Sequence, residues 1–418
     1  MSLLYDMIYG VGGLVSSPVW GWRLLRTGKW KTDWSGRFGR GAELPHDRPT
    51  LLIHAVSVGE ASAIRQLVEL LETRWPAWRI VISVTTDTGL ARAQRLYGER
   101  HEVVRYPLDF TPAVRRMLDR VRPSLVALTE LEVWPNFVAE CERREVPVCV
   151  INGRLSERSF KRYRLLAPLL RPTFAKLAAA AVQSADYAGR FEAMGVPGER
   201  THVLDTMKWD TAKLADEVPG AAELAAAMGI DREKPLIVAG SAGPGEEKLL
   251  IEQRPKEAQL LLVPRKPERF EEVSQLVPGV VRRSGQPDGS EPPEGAGPVF
   301  LLDTMGELGK AYSLADVAVV GRSFDGLGGS DPIEPIALGR PTIIGPDHQN
   351  FADVVAAFEA GGGIVVADEP GPAVRELLED RERARGLAEA GRGVIRQRQG
   401  ATERHAELLE RLAGEVAE

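Results

Sequence analysis

Acidic side chains stand directly after apolar runs of this sequence, at positions that suit acid–base chemistry. Glu60 follows the run 51–56 and opens a helical pattern, and Glu130 follows the run 124–128. Continuous apolar runs of this length are typical of parallel strands that are buried on both faces. Because the carboxyl ends of such strands share the ligand-binding edge of an α/β sheet, both carboxylates are expected there. A carboxylate at that edge can act as a general base.

Each of these glutamates also has a structural interpretation. Ser57 and Glu60 form the Ser-x-x-Glu pattern of a capping box, in which the glutamate satisfies backbone N–H groups at a helix start. Glu130 and Glu132 can complement the dipole of the helix that follows them. Three carboxylates at one sheet edge repel each other, so the arrangement is costly unless a ligand uses it. We therefore assign a functional role to Glu60 and Glu130, and a structural role to Glu132.

A basic segment follows the apolar run 146–151 and can serve an anionic ligand. Five basic side chains lie between residues 154 and 164. Guanidinium groups bind phosphates through paired hydrogen bonds, so Arg154 and Arg158 are candidate binding residues. The alternative is that they are solvated charges, because five basic side chains so closely spaced cannot share one helix face.

The second half of the chain contains further anion-binding patterns. The turn that contains Ser241 is rich in glycine, and strand-to-helix turns of this kind bind anions on free backbone N–H groups. Arg265 and Lys266 follow another apolar run, 259–263, and are therefore expected at the sheet edge.

The segment after the apolar run 317–320 gives the strongest indication of a ligand site in this half of the chain. A helix is expected to begin near Pro332, and its amino terminus would bind phosphate. The residues that lead into it, and would let backbone approach a ligand, are Gly328, Gly329, Ser330 and Asp331. Glu334, in the first turn, can accept hydrogen bonds from ribose hydroxyls, or it can merely complement the helix dipole.

Strands that alternate with helices along the chain predict an α/β fold with parallel, doubly wound sheets. The length of 418 residues allows two or three domains, and the polar stretch 205–216 is the predicted linker. A net charge of −6 gives no sign of nucleic-acid binding. The six histidines and two cysteines form no metal-binding pattern, so we predict neither a metal nor a cofactor.

The amino-terminal stretch 1–22 is apolar but interrupted, and its unbroken part is shorter than the ~20 residues that a membrane span needs. No cleavage site follows it. Aromatic and basic side chains come next, namely Trp20, Trp22, Arg23, Arg26, Lys29 and Lys31. They predict a membrane-associated segment on an anionic lipid surface, with the rest of the chain on the cytoplasmic side. The alternative is an amphipathic helix packed on the protein's own core.

The motifs HAVSVGE at 54–60, ELEVWPN at 130–136 and NGRLSERSF at 152–160 together resemble those of the Kdo transferases. These enzymes transfer 3-deoxy-D-manno-octulosonic acid (Kdo) from CMP-Kdo to a lipid A precursor in lipopolysaccharide synthesis. The resemblance implies a GT-B glycosyltransferase, with two Rossmann-like domains facing a cleft and an anchor in the inner (cytoplasmic) membrane. It also implies that Glu60 is the catalytic base and that Glu130 contributes to the active centre.

The resemblance extends to the donor side through VPR-x-PERF from Val263, DTMGEL from Asp303 and the GG-x-x-P-I-E-P run from Gly328. It implies that Arg265 and the helix start near Ser330 face the CMP group. It further implies that three residues lie near the nucleobase of CMP, namely Met305, Gly306 and Glu307. Lys208 matches a lysine of the family's interdomain motif. Histidines usual in the family are replaced at Gly243, Lys266, Ser330 and Asp347.

The predicted function is therefore an inverting, metal-independent transfer of Kdo to the lipid A precursor (lipid IVA), with acceptor phosphates held by Arg154 and Arg158. The predicted domains are an anchor at 1–35, an acceptor-binding domain at 36–208 and a CMP-Kdo-binding domain at 209–418. One alternative is a GT-B transferase or epimerase that uses another nucleotide sugar. Another is a catalytically idle membrane-bound relative. The sequence predicts neither the number of Kdo residues transferred nor an oligomeric state.

Overall fold

The computed structural model describes residues 2–27, 32–291, 294–295 and 297–417. The chain forms two compact units, one of Met1–Thr211 with Gly400–Glu418 and the other of Ala212–Gln399. Each unit contains one parallel sheet of seven strands. The predicted α/β class with parallel, doubly wound sheets is confirmed.

The first unit alternates strands and helices from residue 50 onward. Its strands are β1 (Thr50–Ala55), β2 (Arg79–Val84), β3 (Glu102–Arg105), β4 (Leu125–Thr129), β5 (Val148–Gly153), β6 (Ala179–Val182) and β7 (Thr201–Val203). Its helices up to residue 211 are α1 (Ser2–Thr27), α2 (Trp34–Arg37), α3 (Val58–Ala63), α4 (Arg65–Arg74), α5 (Asp87–Tyr97), α6 (Thr111–Val121), α7 (Pro135–Arg143), α8 (Glu157–Leu165), α9 (Ala167–Phe174), α10 (Ala185–Met194) and α11 (Lys208–Thr211). A 3-10 turn spans Gly198–Arg200.

The first sheet is buried on both faces, which explains why its strands read as continuous apolar runs. Every residue of β1 is buried. Leu52 packs into the core on one face, whereas Leu51 and Ile53 pack into the core on the other. The alternation follows from the two-residue repeat of a strand.

The strand order of the first sheet, β3-β2-β1-β4-β5-β6-β7, reverses direction between β1 and β4. The two strands pair in parallel from Leu51 opposite Leu125 to His54 opposite Leu128. Such a reversal leaves a crevice at the carboxyl ends of the two strands, where doubly wound proteins bind ligands. Glu60 and Glu130 follow these two strands.

The second unit repeats the design. Its strands are β8 (Leu236–Ala242), β9 (Gln259–Pro264), β10 (Val281–Arg282), β11 (Val299–Leu301), β12 (Val317–Val320), β13 (Thr342–Ile344) and β14 (Val365–Val366). Its helices are α12 (Ala221–Met228), α13 (Glu246–Gln253), α14 (Phe270–Ser274), α15 (Leu308–Leu314), α16 (Ile333–Ala337), α17 (Ala352–Ala360), α18 (Pro370–Glu379) and α19 (Arg381–Arg398). Short 3-10 turns span Pro267–Arg269, Arg283–Gly285 and Gln349–Phe351. The strand order, β10-β11-β9-β8-β12-β13-β14, reverses between β8 and β12.

The last helix, α20 (Ala401–Ala417), packs on the first unit although it follows the second in sequence. Leu408 and Leu409 are buried in the core of the first sheet. Asp210 fixes the start of the helix, because its carboxylate accepts hydrogen bonds from Gly400 N at 2.6 Å and Thr402 N at 2.5 Å. The predicted domain 209–418 therefore extends beyond the second unit, which ends at Gln399. The sequence shows that α20 has an apolar face, but no sequence pattern shows that this face is buried against the first unit.

Helix α1 packs its first turns against the first unit. Tyr5 is buried, and its hydroxyl donates to Leu169 O at 2.6 Å. The rings of Tyr9 and Phe110 meet edge to face with their centroids 6.0 Å apart. In these turns α1 behaves as the alternative interpretation predicts, as a helix that packs on the protein's own core.

The rest of α1 presents apolar side chains to solvent, among them Val11, Leu14 and Trp22. None of the helices in the described part of the chain combines the length and the apolar character that crossing a bilayer requires. Lys29 and Lys31 of the predicted basic flank lie outside the described residues, as do the side chains of Trp20 and Arg23.

Candidate active site

The carboxylate of Glu60 lies in the first turn of α3 and is held by the end of β1. Its Oε2 accepts a hydrogen bond from Val56 N at 2.9 Å, and its Oε1 accepts one from the Ser57 hydroxyl at 2.9 Å. Ser57 Oγ in turn accepts from Glu60 N at 3.4 Å, as in a capping box. The structural interpretation of Glu60 is therefore realised, yet the residue remains partly exposed at the sheet edge. Capping holds the carboxylate in place without removing it from the crevice.

Thr129, the last residue of β4, links Glu60 to the neighbouring strand. Its hydroxyl oxygen lies 2.6 Å from His54 O and 3.0 Å from Glu60 Oε2. A hydroxyl has one proton to donate, and the shorter distance assigns it to His54 O. Thr129 Oγ1 can therefore accept a hydrogen bond from Glu60 once that carboxylate has taken up a proton. The sequence did not indicate a role for Thr129, because a threonine within an apolar strand fits the pattern of an ordinary strand residue.

Glu130 adopts a backbone conformation that non-glycine residues seldom adopt, with φ +56°. Such residues cluster at functional sites, where the surrounding structure holds them in place. Burial and the neighbouring Glu60 carboxylate raise the pKa of Glu130, while Arg154 and Lys208 partly offset the rise. Two interacting acids and two cations therefore meet where the first sheet reverses direction.

The structure brings four of the predicted residues together and leaves one apart. Glu60, Arg154 and Lys208 all act electrostatically on Glu130. The sequence groups Lys208 with the donor-binding residues, whereas the structure places it beside Glu130 in the first unit. Arg158 is exposed on α8, a helix without buried residues.

Asn152, at the end of β5, connects this site to the start of α11. Its Oδ1 accepts a hydrogen bond from Met207 N at 3.3 Å, next to Lys208, and its own N donates to His405 Nε2 at 3.0 Å. Because Nε2 accepts, the proton of the imidazole is on Nδ1, which donates to Ala401 O at 2.8 Å. Burial lowers the pKa of His405 to about 4, so the imidazole is neutral at neutral pH.

Asn136, the last residue of the ELEVWPN motif, binds helix α1. Its Nδ2 donates to Asp6 Oδ1 at 2.9 Å and to Asp109 O at 2.6 Å. Its backbone N donates to Asp109 Oδ2 at 3.0 Å. Burial raises the pKa of Asp109 to about 7. The amino-terminal helix is thus tied to the same motif that carries Glu130.

In the second unit, the crevice between β8 and β12 is spanned by a side chain of the protein itself. The Glu246 carboxylate accepts backbone hydrogen bonds from Gly243 at 2.6 Å, Arg322 at 2.5 Å, Ser323 at 2.7 Å and Phe324 at 3.0 Å. The residue is 1% exposed. These N–H groups, in turns where an anion site is predicted, are therefore already occupied by an internal anion.

Gly328 and Gly329 are required by packing between loops. Both have left-handed φ, +82° and +79°, and a Cβ on either would collide with Asn350 or His348. The predicted helix start is found at Ile333, but α16 has only five residues, and Ile333 N already donates to Asp331 Oδ1 at 3.0 Å. Free backbone amides at a long helix terminus are thus not a feature of this segment.

Charged side chains gather around the buried Tyr312 at the carboxyl edge of the second sheet. Arg265, Asp331 and Glu334 all act on its hydroxyl, and burial raises the pKa of Tyr312 well above its usual value. Partial desolvation and the Asp331 carboxylate also raise the pKa of Glu334. The Glu334 side chain is accessible and makes no hydrogen bond within the described part of the chain. It is free to accept hydrogen bonds from a ligand.

Glu307 is bound within the protein. Its carboxylate accepts hydrogen bonds from Arg283 Nε and Nη2, both at 3.0 Å, from the Thr304 hydroxyl at 2.6 Å and from Lys310 Nζ at 3.1 Å. These donors lower the pKa of Glu307 to about 2. The side chain shapes the loop before α15 and has little capacity left for a ligand.

The other predicted donor-side residues differ in exposure. Arg265 and Lys266 are exposed just beyond β9, and Met305 is 68% exposed. Gly306 has φ +90° with open space beside its Cα. Ser241 is buried at the end of β8 with φ +57°. A left-handed, non-glycine residue at a strand end is the same feature that marks Glu130 in the first unit.

No group of three His, Cys, Asp or Glu side chains in the described residues is arranged as a metal site. Cys141 and Cys149 are buried free thiols. Burial raises the pKa of Cys149 to about 12 and that of Cys141 further. Neither thiol is therefore ionised at neutral pH, as a cysteine nucleophile must be.

Known proteins match this chain in sequence and in fold. The profile of the family described as 3-Deoxy-D-manno-octulosonic-acid transferase (kdotransferase) matches residues 32–211. The 3-deoxy-D-manno-octulosonic acid transferase of Bordetella pertussis is 33% identical over 415 residues, which cover 94% of this chain and 95% of the relative. The transferase of the same name from Haemophilus influenzae is 31% identical over 373 residues, 86% of each chain.

A solved structure agrees on the fold. The crystal structure of Anabaena HepE in complex with UDP superimposes with a TM-score of 0.60 at 14% identity, over 87% of this chain and 99% of that one. At that identity the likeness concerns the fold alone, which is the two-sheet α/β fold of GT-B glycosyltransferases. The sequence relatives, matched over nearly their full length, decide the family. The chain belongs to the 3-deoxy-D-manno-octulosonic acid transferases and is a glycosyltransferase.

Proposed function

We propose that this chain transfers Kdo from CMP-Kdo to a lipid A precursor (lipid IVA), with inversion at the anomeric carbon and without a metal ion. The observation that carries the proposal is the pairing of Glu60 with Glu130 at the crevice of the first sheet, in a chain of the Kdo transferase family. A capped, partly exposed carboxylate beside a second acid and two cations suits proton abstraction from a phosphorylated sugar.

In the proposed step, Glu60 removes the proton from an acceptor hydroxyl while the hydroxyl oxygen attacks the anomeric carbon of Kdo. The new carbon–oxygen bond forms as the bond from that carbon to the phosphate oxygen of CMP breaks, and CMP leaves with the electron pair. Glu60 ends the step protonated, and Thr129 Oγ1, 3.0 Å from its Oε2, accepts the new hydrogen bond. Attack opposite to the leaving group inverts the anomeric configuration.

The acceptor phosphates are assigned to the basic side chains of the first unit. Arg154 and Lys208 are close enough to Glu130 to offset part of the rise in its pKa, so they supply positive charge at the reacting edge. Arg158, exposed on α8, suits a phosphate further from the reacting hydroxyl. Guanidinium groups serve such contacts through paired hydrogen bonds.

The CMP group is assigned to the carboxyl edge of the second sheet. Arg265, exposed at the end of β9, supplies charge for the leaving phosphate. Glu334 supplies an unoccupied acceptor for ribose hydroxyls, and burial and the Asp331 carboxylate raise its pKa. The Ser330 hydroxyl is buried without a hydrogen-bond partner among the described residues, whereas most buried polar groups have one. A ligand bound at this edge would supply that partner.

The same proposal places the chain on the cytoplasmic face of the inner membrane through α1. Val11, Leu14 and Trp22 are exposed on that helix, and the Arg26 guanidinium lies over the Trp22 ring at 5.1 Å. Apolar and basic side chains together suit a headgroup interface. Leu165 and Leu166, exposed at the end of the basic helix α8, extend that character to a second element.

The test is an assay of the purified full chain with CMP-Kdo and lipid A precursor, read by product mass and by released CMP. We expect a product heavier by one or more Kdo units, and CMP release only when acceptor is present. A thermal-shift series with CMP, UDP and GDP identifies the nucleotide, because a ligand that binds the native state stabilises it. Stabilisation by UDP or GDP alone would refute a CMP-linked donor, and a lack of product with CMP-Kdo and lipid A precursor would refute transfer of Kdo.

A further inference from the structure

A depression in the second unit lies at the edge of the sheet opposite to Ser241 and Arg265. It has a volume of about 430 Å³, within the range of small-molecule sites. Its floor is formed where β12 and β13 begin, by Asp316 and Arg340. One wall is helix α19. The depression is therefore distinct from the carboxyl edge, to which the nucleotide is assigned.

The wall contributed by α19 carries unpaired positive charge. Arg381 and Arg385 line the depression one helical turn apart, and both are exposed. Neither forms a hydrogen bond or ion pair with any residue of the described ranges. Two guanidinium groups on one helix face repel each other. Glu389, one turn beyond Arg385, also lines the depression, but its Oε1 lies toward Arg396, 3.8 Å from Nη1 of that residue. An anion in the depression would relieve the repulsion.

Two further arginines sit behind them in fixed positions. Arg392 Nη1 pairs with Asp216 at 2.7 Å, and Arg340 Nη2 donates to the backbone oxygen of the same residue at 2.7 Å. Burial and the charges of Arg232 and Arg392 lower the pKa of Arg340. Burial is the largest of these causes, and the Asp316 carboxylate acts against them. Two acids line the depression. Asp316 accepts a hydrogen bond from Leu236 N at 2.9 Å, and Glu389 lies nearest to Arg396.

The other side of the depression is apolar. Leu377 and Leu378 from the end of α18, Pro341 before β13 and Ala384 and Ala388 of α19 line it. A small inorganic ion would not cover these apolar side chains, which would stay in contact with water. The lining therefore fits a molecule with an anionic end and an apolar or ring-shaped body.

A second depression, in the first unit, provides a comparison. It is larger, about 640 Å³, and is lined by equal numbers of opposite charges: Arg48, Arg79 and Arg100 against Glu72, Glu99 and Glu102. There, Arg100 pairs with Glu72 at 2.7 Å and Arg79 with Asp47 at 2.7 Å. Balanced charge favours neither an anionic nor a cationic ligand. The excess of arginines over acids in the depression of the second unit is therefore not shared by the depression of the first unit.

We propose that the depression lined by Arg340, Arg381, Arg385 and Arg392 is a second ligand site, which binds the phosphate group of an organic phosphate ester or diphosphate. Arg381 and Arg385 hold the phosphate oxygens, and the leucines at the end of α18 contact the attached organic group. The phosphate can belong to a soluble metabolite or to a lipid headgroup, since both present the same oxygens to a guanidinium fork.

The test is a titration of the full chain with pyrophosphate at constant ionic strength and saturating CMP, followed by calorimetry. CMP occupies the nucleotide edge, so the remaining binding reports on the second site. The variant Arg381→Gln/Arg385→Gln removes two exposed charges and should weaken pyrophosphate binding at least about tenfold. Its melting temperature should stay at the wild-type value, because neither side chain has a partner to lose.

The matched control is Arg375→Gln/Arg383→Gln, which removes the same charge from exposed positions of α18 and α19 outside the depression. We expect its pyrophosphate affinity to change less than about twofold. Equal weakening in both double variants, or no saturable binding to the wild type, would overturn the proposal.

A flotation assay separates the two sources of the phosphate. Phosphatidylcholine vesicles with and without phosphatidic acid are incubated with both double variants. If capture by phosphatidic acid requires Arg381 and Arg385, and excess pyrophosphate releases the protein, the site takes a lipid headgroup. If capture is the same in both variants while pyrophosphate binding differs, the site takes a soluble ester. Both results support the site, and indifference of both probes to the pair of arginines rejects it.

Discussion

Glu60 and Glu246 occupy equivalent positions in the two units and do different things. Each lies on the first helix after the first strand of its unit, beside the crevice where the strand order reverses. Glu246 is 1% exposed and uses its carboxylate on four backbone N–H groups across that crevice. Glu60 accepts one backbone N–H and one hydroxyl from its own turn, and it remains partly exposed.

The comparison teaches that an acid at a sheet edge is identified by what it is bonded to, not by its position. A buried carboxylate whose oxygens all face backbone amides stabilises loops and cannot receive a substrate proton without breaking them. A partly exposed carboxylate beside a second acid is available for proton transfer. The predictions that follow test whether the two glutamates differ in this way.

The largest expected effect is on turnover. Glu60→Gln should lower the rate of Kdo transfer by ~10²–10⁴-fold, the usual loss for a missing general base, because an amide cannot take the acceptor proton. Its melting temperature and CMP affinity should be close to wild type. Steady-state rates measured by CMP release, with Glu69→Gln at a partly exposed position of α4 as control, check this. A variant with full activity would show that another group is the base.

Glu246→Gln should act on stability instead. Its amide nitrogen faces N–H groups, so some of the four buried donors lose their acceptor, and we expect a destabilisation of about 3 kcal/mol or more. Urea unfolding followed by tryptophan fluorescence and circular dichroism gives the shift, with Glu252→Gln on the exposed face of the same helix as control. An unchanged unfolding midpoint together with lost turnover would remove the distinction between the two glutamates.

The third prediction concerns the stability of the first unit, where the buried imidazole of His405 accepts a hydrogen bond from Asn152 N. The pKa of His405 is lowered to about 4, whereas an unfolded histidine titrates near 6.5. The unfolded chain therefore takes up the proton first as the pH falls, and stability is lost between pH 6.5 and about 4, by about 3 kcal/mol in total. His405→Gln, which can still accept from Asn152 N, should flatten that part of the stability profile. Equal profiles for both proteins would contradict a neutral, buried imidazole.

The smallest effect sharpens the comparison within the second unit. Glu334 is accessible and unbonded, unlike Glu246, so Glu334→Gln should leave the melting temperature unchanged. We expect CMP affinity to fall about five- to tenfold, because one acceptor for ribose hydroxyls weakens by about 1 kcal/mol. Calorimetric titration with CMP measures the change, and Glu359→Gln, an exposed glutamate on α17, is the control. Equal affinity for CMP and for its 2′,3′-dideoxy analogue in the wild type would speak against a ribose contact.

The class of fold was readable from sequence because the strands are buried on both faces. β12 was predicted with the same limits that it has, 317–320, and it is entirely buried. The capping contact between Ser57 and Glu60 was likewise predictable, because it joins residues three positions apart. The limits of the units were less predictable, since α20 leaves the second unit and is buried against the first.

The site residues divide in the same way. Glu60 and Glu130 were identified because each directly follows an apolar run. Glu246 was not, because the amides that its carboxylate binds lie 76 to 78 residues further along the chain. His405 was not, because its partner Asn152 is 253 residues away.

The sequence by itself determined where strands end and which acids follow them, because apolar runs and capping contacts are local. Only the tertiary structure decided which of those acids stay accessible. That outcome depends on strand order and on long-range hydrogen bonds, which brought Lys208 and Arg154 to Glu130 and closed four amides around Glu246. A glutamate after a strand is common to both units, whereas the long-range neighbours of each, such as Thr129 beside Glu60 and the amides of residues 322–324 around Glu246, come from distant segments.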